Sequence, residues 1–142
     1  MTWTPYFLVS LGLSALAAAP PPAPGDLKVI ANPSVGVSEI SVDEIRSIFL
    51  GTTTSMKDAG PVHPVLDRGG ENLNHFATAF LGKSGAALEI YYRSLMFTGK
   101  WSIPVSFSSD AEVVAYVARN KGAIGFVSES ATATQVKTLR VK

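Results

Sequence analysis

The run Ala123-Ile124-Gly125-Phe126-Val127 contains no polar side chain. A segment this short and this apolar reads as a strand buried on both faces, because a half-exposed strand would alternate apolar and polar residues. The helix expected before it is equally well marked. Ser109-Asp110-Ala111-Glu112 forms a capping box, in which a serine oxygen accepts from the N3 amide and the glutamate reaches back. Val113, Tyr116 and Val117 then recur at helical spacing, and Gly122 closes the element.

The same punctuation extends toward the N-terminus. Leu27 to Ala31 reads as a β-branched-rich strand ending at Asn32-Pro33. Ser41-Val42-Asp43-Glu44 is another capping box, followed by Ile45, Ile48 and Phe49 on one helical face before Gly51. Pro61 to Asp67 alternates as a strand, although Pro64 requires an unpaired N–H side or an edge position. Asn72 to Leu81 places Leu73, Phe76, Ala77, Phe80 and Leu81 on one face and stops at Gly82. Ser84 opens a longer helix with Leu88, Tyr91, Tyr92, Leu95 and Met96, ending near Gly99, and Val136 to Val141 is a last strand, expected at an edge. Helices and strands therefore interleave, which predicts an α/β fold with a mixed or mostly parallel sheet flanked by helices. Ligands of such sheets sit beyond the carboxyl ends of the strands, which directs attention to Asn32–Ser34, Arg68–Asn72 and Ser128–Ser130.

Met1 to Gly25 carry no charged side chain, and Tyr6 to Ala19 form an apolar run. The run has the length of an export signal and is shorter than the roughly 20 residues a membrane-spanning helix needs. Residues 1–17 are expected to be a signal peptide cut after Ala17, and residues 18–26 a proline-rich spacer stiffened by Pro20, Pro21, Pro22 and Pro24. Residues 27–142 then form one domain, placed in the periplasm or outside the cell. With no cysteine, no disulfide framework or lipidated cysteine is available, and the apolar core must hold the domain together. Twelve basic and eleven acidic residues, interspersed from Asp26 onward, argue against nucleic acid as a partner.

Catalytic patterns are absent. No Gly-x-Ser-x-Gly elbow occurs, and the two histidines, His63 and His75, stand on different elements with no third metal-ligand spacing. No enzyme activity, metal or cofactor is expected. Thr98-Gly99-Lys100-Trp101 follows a helix end, where Trp101 is expected to pack over the sheet edge and Lys100 to cap the last helical carbonyls, with a contact surface of cation beside aromatic as the alternative. Gly51 to Ser55 is rich in hydroxyls but follows a helix C-terminus, where the dipole disfavours anions.

Three segments carry a family resemblance: Ser41 to Gly51 ending Ile48-Phe49-Leu50-Gly51, Leu95-Met96-Phe97-Thr98-Gly99, and Ala111 to Val127 ending Gly122-Ala123-Ile124-Gly125-Phe126-Val127. Together they resemble the short, single-domain phosphate ABC transporter substrate-binding proteins, over Leu27 to Lys142. The resemblance implies one lobe of a type 2 periplasmic-binding-protein-like fold that binds a small anion such as phosphate for uptake. It also implies an ABC permease or other envelope protein as partner, with a homodimer as one way to supply a second lobe. Full-length members carry an arginine followed by Ser-Gly-Thr after the strand that precedes the central helix. This chain has Arg68 at the arginine position and lacks the Ser-Gly-Thr triplet, continuing instead Gly69-Gly70-Glu71-Asn72. Arg68 is carried over as an anion ligand, with Gly69, Gly70 and Asn72 as candidates by position at a helix N-terminus. Arg68 paired with Asp67 or Glu71 on the surface is the plainer alternative, and an interaction module that keeps the fold without a small ligand is the alternative function.

Overall fold

The computed structural model describes residues 26–100 and 103–142. The expected signal peptide, the spacer up to Gly25 and Trp101 lie outside the described residues. Strand β1 (Leu27–Ala31) is followed by the short β2 (Glu39–Ile40), helix α1 (Val42–Phe49), a small hairpin of β3 (Ser55–Met56) and β4 (Gly60–Pro61), and β5 (His63–Asp67). Helix α2 (Asn72–Phe76) continues as a π-helical turn, Ala77–Leu81, and α3 (Gly85–Phe97), β6 (Val105–Phe107), α4 (Asp110–Arg119), β7 (Ala123–Ser128) and β8 (Lys137–Val141) complete the domain.

The main sheet has the order β2-β8-β1-β7-β5-β6. β5 pairs in parallel with β6 and β7, and β2 with β8, whereas β1 is antiparallel to both β7 and β8. Five strands thus point one way and β1 alone runs against them. The last strand is not at an edge as expected, because β2 pairs along its outer side through Glu39 and Ile40. β5 is internal, and Pro64 takes the unpaired N–H position rather than an edge. β6 pairs only with Val65, Leu66 and Asp67, so the missing proline N–H falls just before that ladder begins.

Period-two alternation divides the core between the two faces of the sheet. Val29, Ala31, Leu66, Ile124 and Phe126 pack with α1, α2 and α3, while Ile30, Val65, Ala123 and Val127 pack under Val113, Val114 and Val117 of α4. Ala123 to Val127 are all buried, as their composition requires. α1 has the expected capping box between Ser41 and Glu44. At α4 the Ser109 side chain accepts from the Glu112 amide, but Glu112 reaches one residue further back, to the Ser108 N–H. In α3, Leu88 and Tyr92 face the core, and the Tyr91 and Tyr92 hydroxyls donate to the Leu50 and Phe49 carbonyls at the end of α1. Met96, expected inside, is exposed together with Ile90 and Phe97, since only a narrow stripe of α3 touches the domain.

Gly122 turns the chain from α4 into β7 with φ +77°, and a side chain there would place its Cβ 2.5 Å from the Pro61 carbonyl oxygen. Its own N–H donates to Ser34 Oγ and its carbonyl accepts from the His63 N–H. Gly122→Ala therefore meets a left-handed backbone penalty and a backbone clash together. The expected loss is about 2 kcal/mol or more, read as a lower urea midpoint at unchanged m-value.

Candidate functional site

Because β1 is reversed, the carboxyl ends of β5, β6 and β7 meet at one end of the sheet, and Asn32 to Ser34 lie at the other. There the Asn32 side-chain amide donates to the Val117 and Ala118 carbonyls at the end of α4 and its Oδ1 accepts from the Ser34 N–H, a structural joint. Of the three segments singled out by strand-end reasoning, only Arg68–Asn72 and Ser128–Ser130 come together.

At their meeting point lies a polar knot. Asp67, the last residue of β5, is fully buried. Its Oδ1 accepts from the Gly69 N–H at 2.8 Å and its Oδ2 from Asn72 Nδ2 at 3.1 Å. The same Asn72 nitrogen lies 3.1 Å from Asp110 Oδ1 and 3.1 Å from Ser128 Oγ, and Asp110 Oδ1 also accepts from the Ser128 N–H. One asparagine thus joins the end of β5, the start of α4 and the end of β7. Burial and the neighbouring Asp110 carboxyl push Asp67 up to about 7. Asp110, which accepts from Asp67, Ser128 and Asn72, is held below the usual carboxylate range. Asp67 therefore gives up its proton at a higher pH than Asp110 does.

Arg68 begins the loop above this knot, anchored by its N–H to the Phe107 carbonyl at 2.8 Å. Its side chain turns away from Asp67 and Glu71 and forms an ion pair with Glu89 of α3. Glu89 reaches it because α3 starts against α2: the Gly85 N–H donates to Asn74 Oδ1 at 2.9 Å, and a Cβ on Gly85 would stand 3.3 Å from Asn74 Cα. Arg68, Gly70, Leu73, Asn74 and Glu89 line an open cleft of ≈ 280 Å³.

Among the four residues proposed from sequence, Arg68 and Gly70 line this cleft. Gly69 and Asn72 direct their donors elsewhere, Gly69 to Asp67 and the Asn72 N–H to the Gly69 carbonyl. Sequence reasoning read Asp110 only as part of a helix start and did not single out Glu89. Asp110 had a usable signal, a carboxylate opening a helix near strand ends, whereas Glu89 had none, because its position depends on how α3 packs. His63 lies on the opposite end of β5 beside Tyr116, whose hydroxyl is 3.5 Å from Nε2, and burial lowers its pKa. Among the described residues no group of three histidine, aspartate or glutamate side chains is placed to hold a metal ion.

The architecture defines a class: an α/β domain equivalent to one lobe of a type 2 periplasmic-binding-protein-like fold. Solved structures that the chain is similar to include an ABC-type phosphate transport receptor from Vibrio cholerae, with TM-score 0.55, 16% identity, 82% of this chain covered and 46% of that one. They also include a phosphate ABC transporter substrate-binding protein with bound phosphate from Clostridium perfringens (TM-score 0.53, 17% identity, 82% and 44% covered) and PstS from Borrelia burgdorferi (0.54, 11%, 82% and 47%). The chain spans less than half the length of each of these proteins. No protein-family model matches the chain, and no curated protein matches it by sequence. Among the described residues no helix is long and apolar enough to cross a membrane.

Proposed function

We propose that the domain is a non-enzymatic, exported ligand-binding module of the short phosphate-transport type, and that it holds a small oxyanion in the cleft beside Arg68. The observation that carries this reading is the position of Arg68. It is a cation on the loop after a sheet strand, one-third exposed at an open cleft, in a fold whose solved examples include a phosphate-bound receptor. Arg68 supplies the charge and a planar fork of donors, and the Gly70 N–H, which has no acceptor among the described residues, supplies a backbone donor. Gly69 and Asn72 then shape the loop through Asp67 and do not touch the ligand. An ABC permease or another envelope protein would receive the loaded domain, and a second copy would close the cleft if the protein works as a homodimer.

The test is a thermal-shift titration of the purified protein with phosphate and sulfate, alongside Arg68→Ala. The melting temperature should rise with either anion, by the equivalent of about 2.7 kcal/mol at a hundredfold excess over Kd. Arg68→Ala should abolish the rise. A shift that survives the substitution would move the site elsewhere, and no shift at millimolar anion would refute the reading.

A second reading, an interaction module that docks on an envelope protein, is favoured by a different observation. Ile90, Met96 and Phe97 present large apolar side chains on α3, Phe97 at 82% exposure. On that reading the protein is indifferent to phosphate, and Phe97→Ser weakens partner capture without changing the melt.

A further inference from the structure

The Arg68 cleft already contains an anion, and that anion belongs to the protein. Arg68 and Glu89 are the two charged residues in its lining, and they are paired with each other. The pairing is not a chance meeting of two long surface side chains. Glu89 lies one turn into a helix whose first residue, Gly85, is hydrogen-bonded to Asn74 and packs so closely on it that a Cβ would stand 3.3 Å from Asn74 Cα. The carboxylate is thus delivered to the guanidinium by a packed element. Both side chains are nevertheless about one-third exposed, 36% for Arg68 and 34% for Glu89, so solutes reach the pair and the ion pair itself is weak.

We propose that Glu89 is an internal counter-anion that sets the affinity and charge selectivity of the Arg68 cleft. This rests on the reading of the cleft as an oxyanion site. Without ligand, Glu89 occupies the arginine. An entering oxyanion must share or take the guanidinium while a fixed negative charge stands a few ångströms away, and that repulsion grows with the charge of the ligand. The native cleft is therefore electrically neutral and weakens divalent anions more than monovalent ones. Glu89→Gln keeps the shape and a hydrogen-bond acceptor while turning the cleft cationic. It should tighten a monovalent anion about tenfold and a divalent one about a hundredfold.

Isothermal titration with sulfate and with nitrate, on the native protein, Glu89→Gln, Glu89→Ala and the double variant Arg68→Ala/Glu89→Gln, tests this. The expected result is a gain in both Glu89 variants that is larger for sulfate and vanishes in the double variant. Glu89→Ala guards against a packing fault specific to glutamine, and a melt of each variant confirms folding. Equal affinity of native and Glu89 variants, with binding still lost in Arg68→Ala, would overturn the role of Glu89 and leave the anion reading standing. An equal gain for both anions would also overturn it, since a packing effect does not scale with ligand charge. No binding of either anion to any variant would refute both proposals.

Discussion

Asp67→Asn is expected to abolish a fall in stability that the native protein shows as pH rises from about 4 to 8. Asp67 is fully buried, and its carboxyl is raised from 3.8 to about 7 by burial and by Asp110. Over that interval the folded state keeps a proton that the unfolded chain has already released. Its stabilising contribution is therefore complete below 3.8 and lost as pH rises through about 7. Fully realised, a shift of this size is worth at most about 4 kcal/mol. Asp110 adds no opposing slope there, because its pKa is lowered and its contribution disappears only in acid, as pH falls below 3.8 through its folded value. His63, with a pKa below 6.5 through burial, gives an opposite slope that is common to both proteins and cancels in the comparison. Asparagine carries its hydrogen permanently: its amide donates to Asp110 at every pH, and Asn72 keeps Asp110 and Ser128 as acceptors. Urea unfolding at pH 5 and pH 8 measures the effect. A native protein equally stable at both values, after the same correction for His63, would show that burial does not raise the Asp67 pKa.

Phe76→Ala should cost about 3–5 kcal/mol, a large part of the 5–15 kcal/mol expected for a whole domain. Phe76 is fully buried and stacks on Phe126 at 3.9 Å between ring centroids, with Phe49 at 4.7 Å and Phe80 at 5.2 Å. This one ring connects the central strand β7, helix α1 and the π-helical turn after α2, so truncation opens a cavity that three elements border. Phe76→Leu keeps most of the volume and should lose markedly less, because a partly filled site leaves a smaller void. Chemical denaturation compares the pair directly. The same substitution loosens the helix that follows the Arg68 loop, so the anion affinity proposed for the cleft should fall with it.

Local chemistry alone specified much of this domain. Ser41 with Glu44 and Ser109 with Glu112 marked two helix starts because capping is a contact between residues three apart, and Gly51, Gly82, Gly99 and Gly122 marked ends because each adopts positive φ. The apolar run at Ala123 to Val127 announced a strand with helices on both sides, since no half-exposed strand could tolerate it. Arg68 and Gly70 were legible as cleft residues because a strand end followed by glycines marks a loop at the sheet margin. Pairing direction was not legible. That β1 runs against its neighbours, moving Asn32 away from Arg68, depends on register between residues about 100 positions apart, as does the insertion of β8 between β1 and β2. The electrostatics of the site are of the same kind. Asp67 appeared as a flanking charge and is a buried carboxyl with a raised pKa, and Arg68 found its partner in Glu89, because charge interactions act through space and only the packing of α2, α3 and α4 decides which carboxylates stand close.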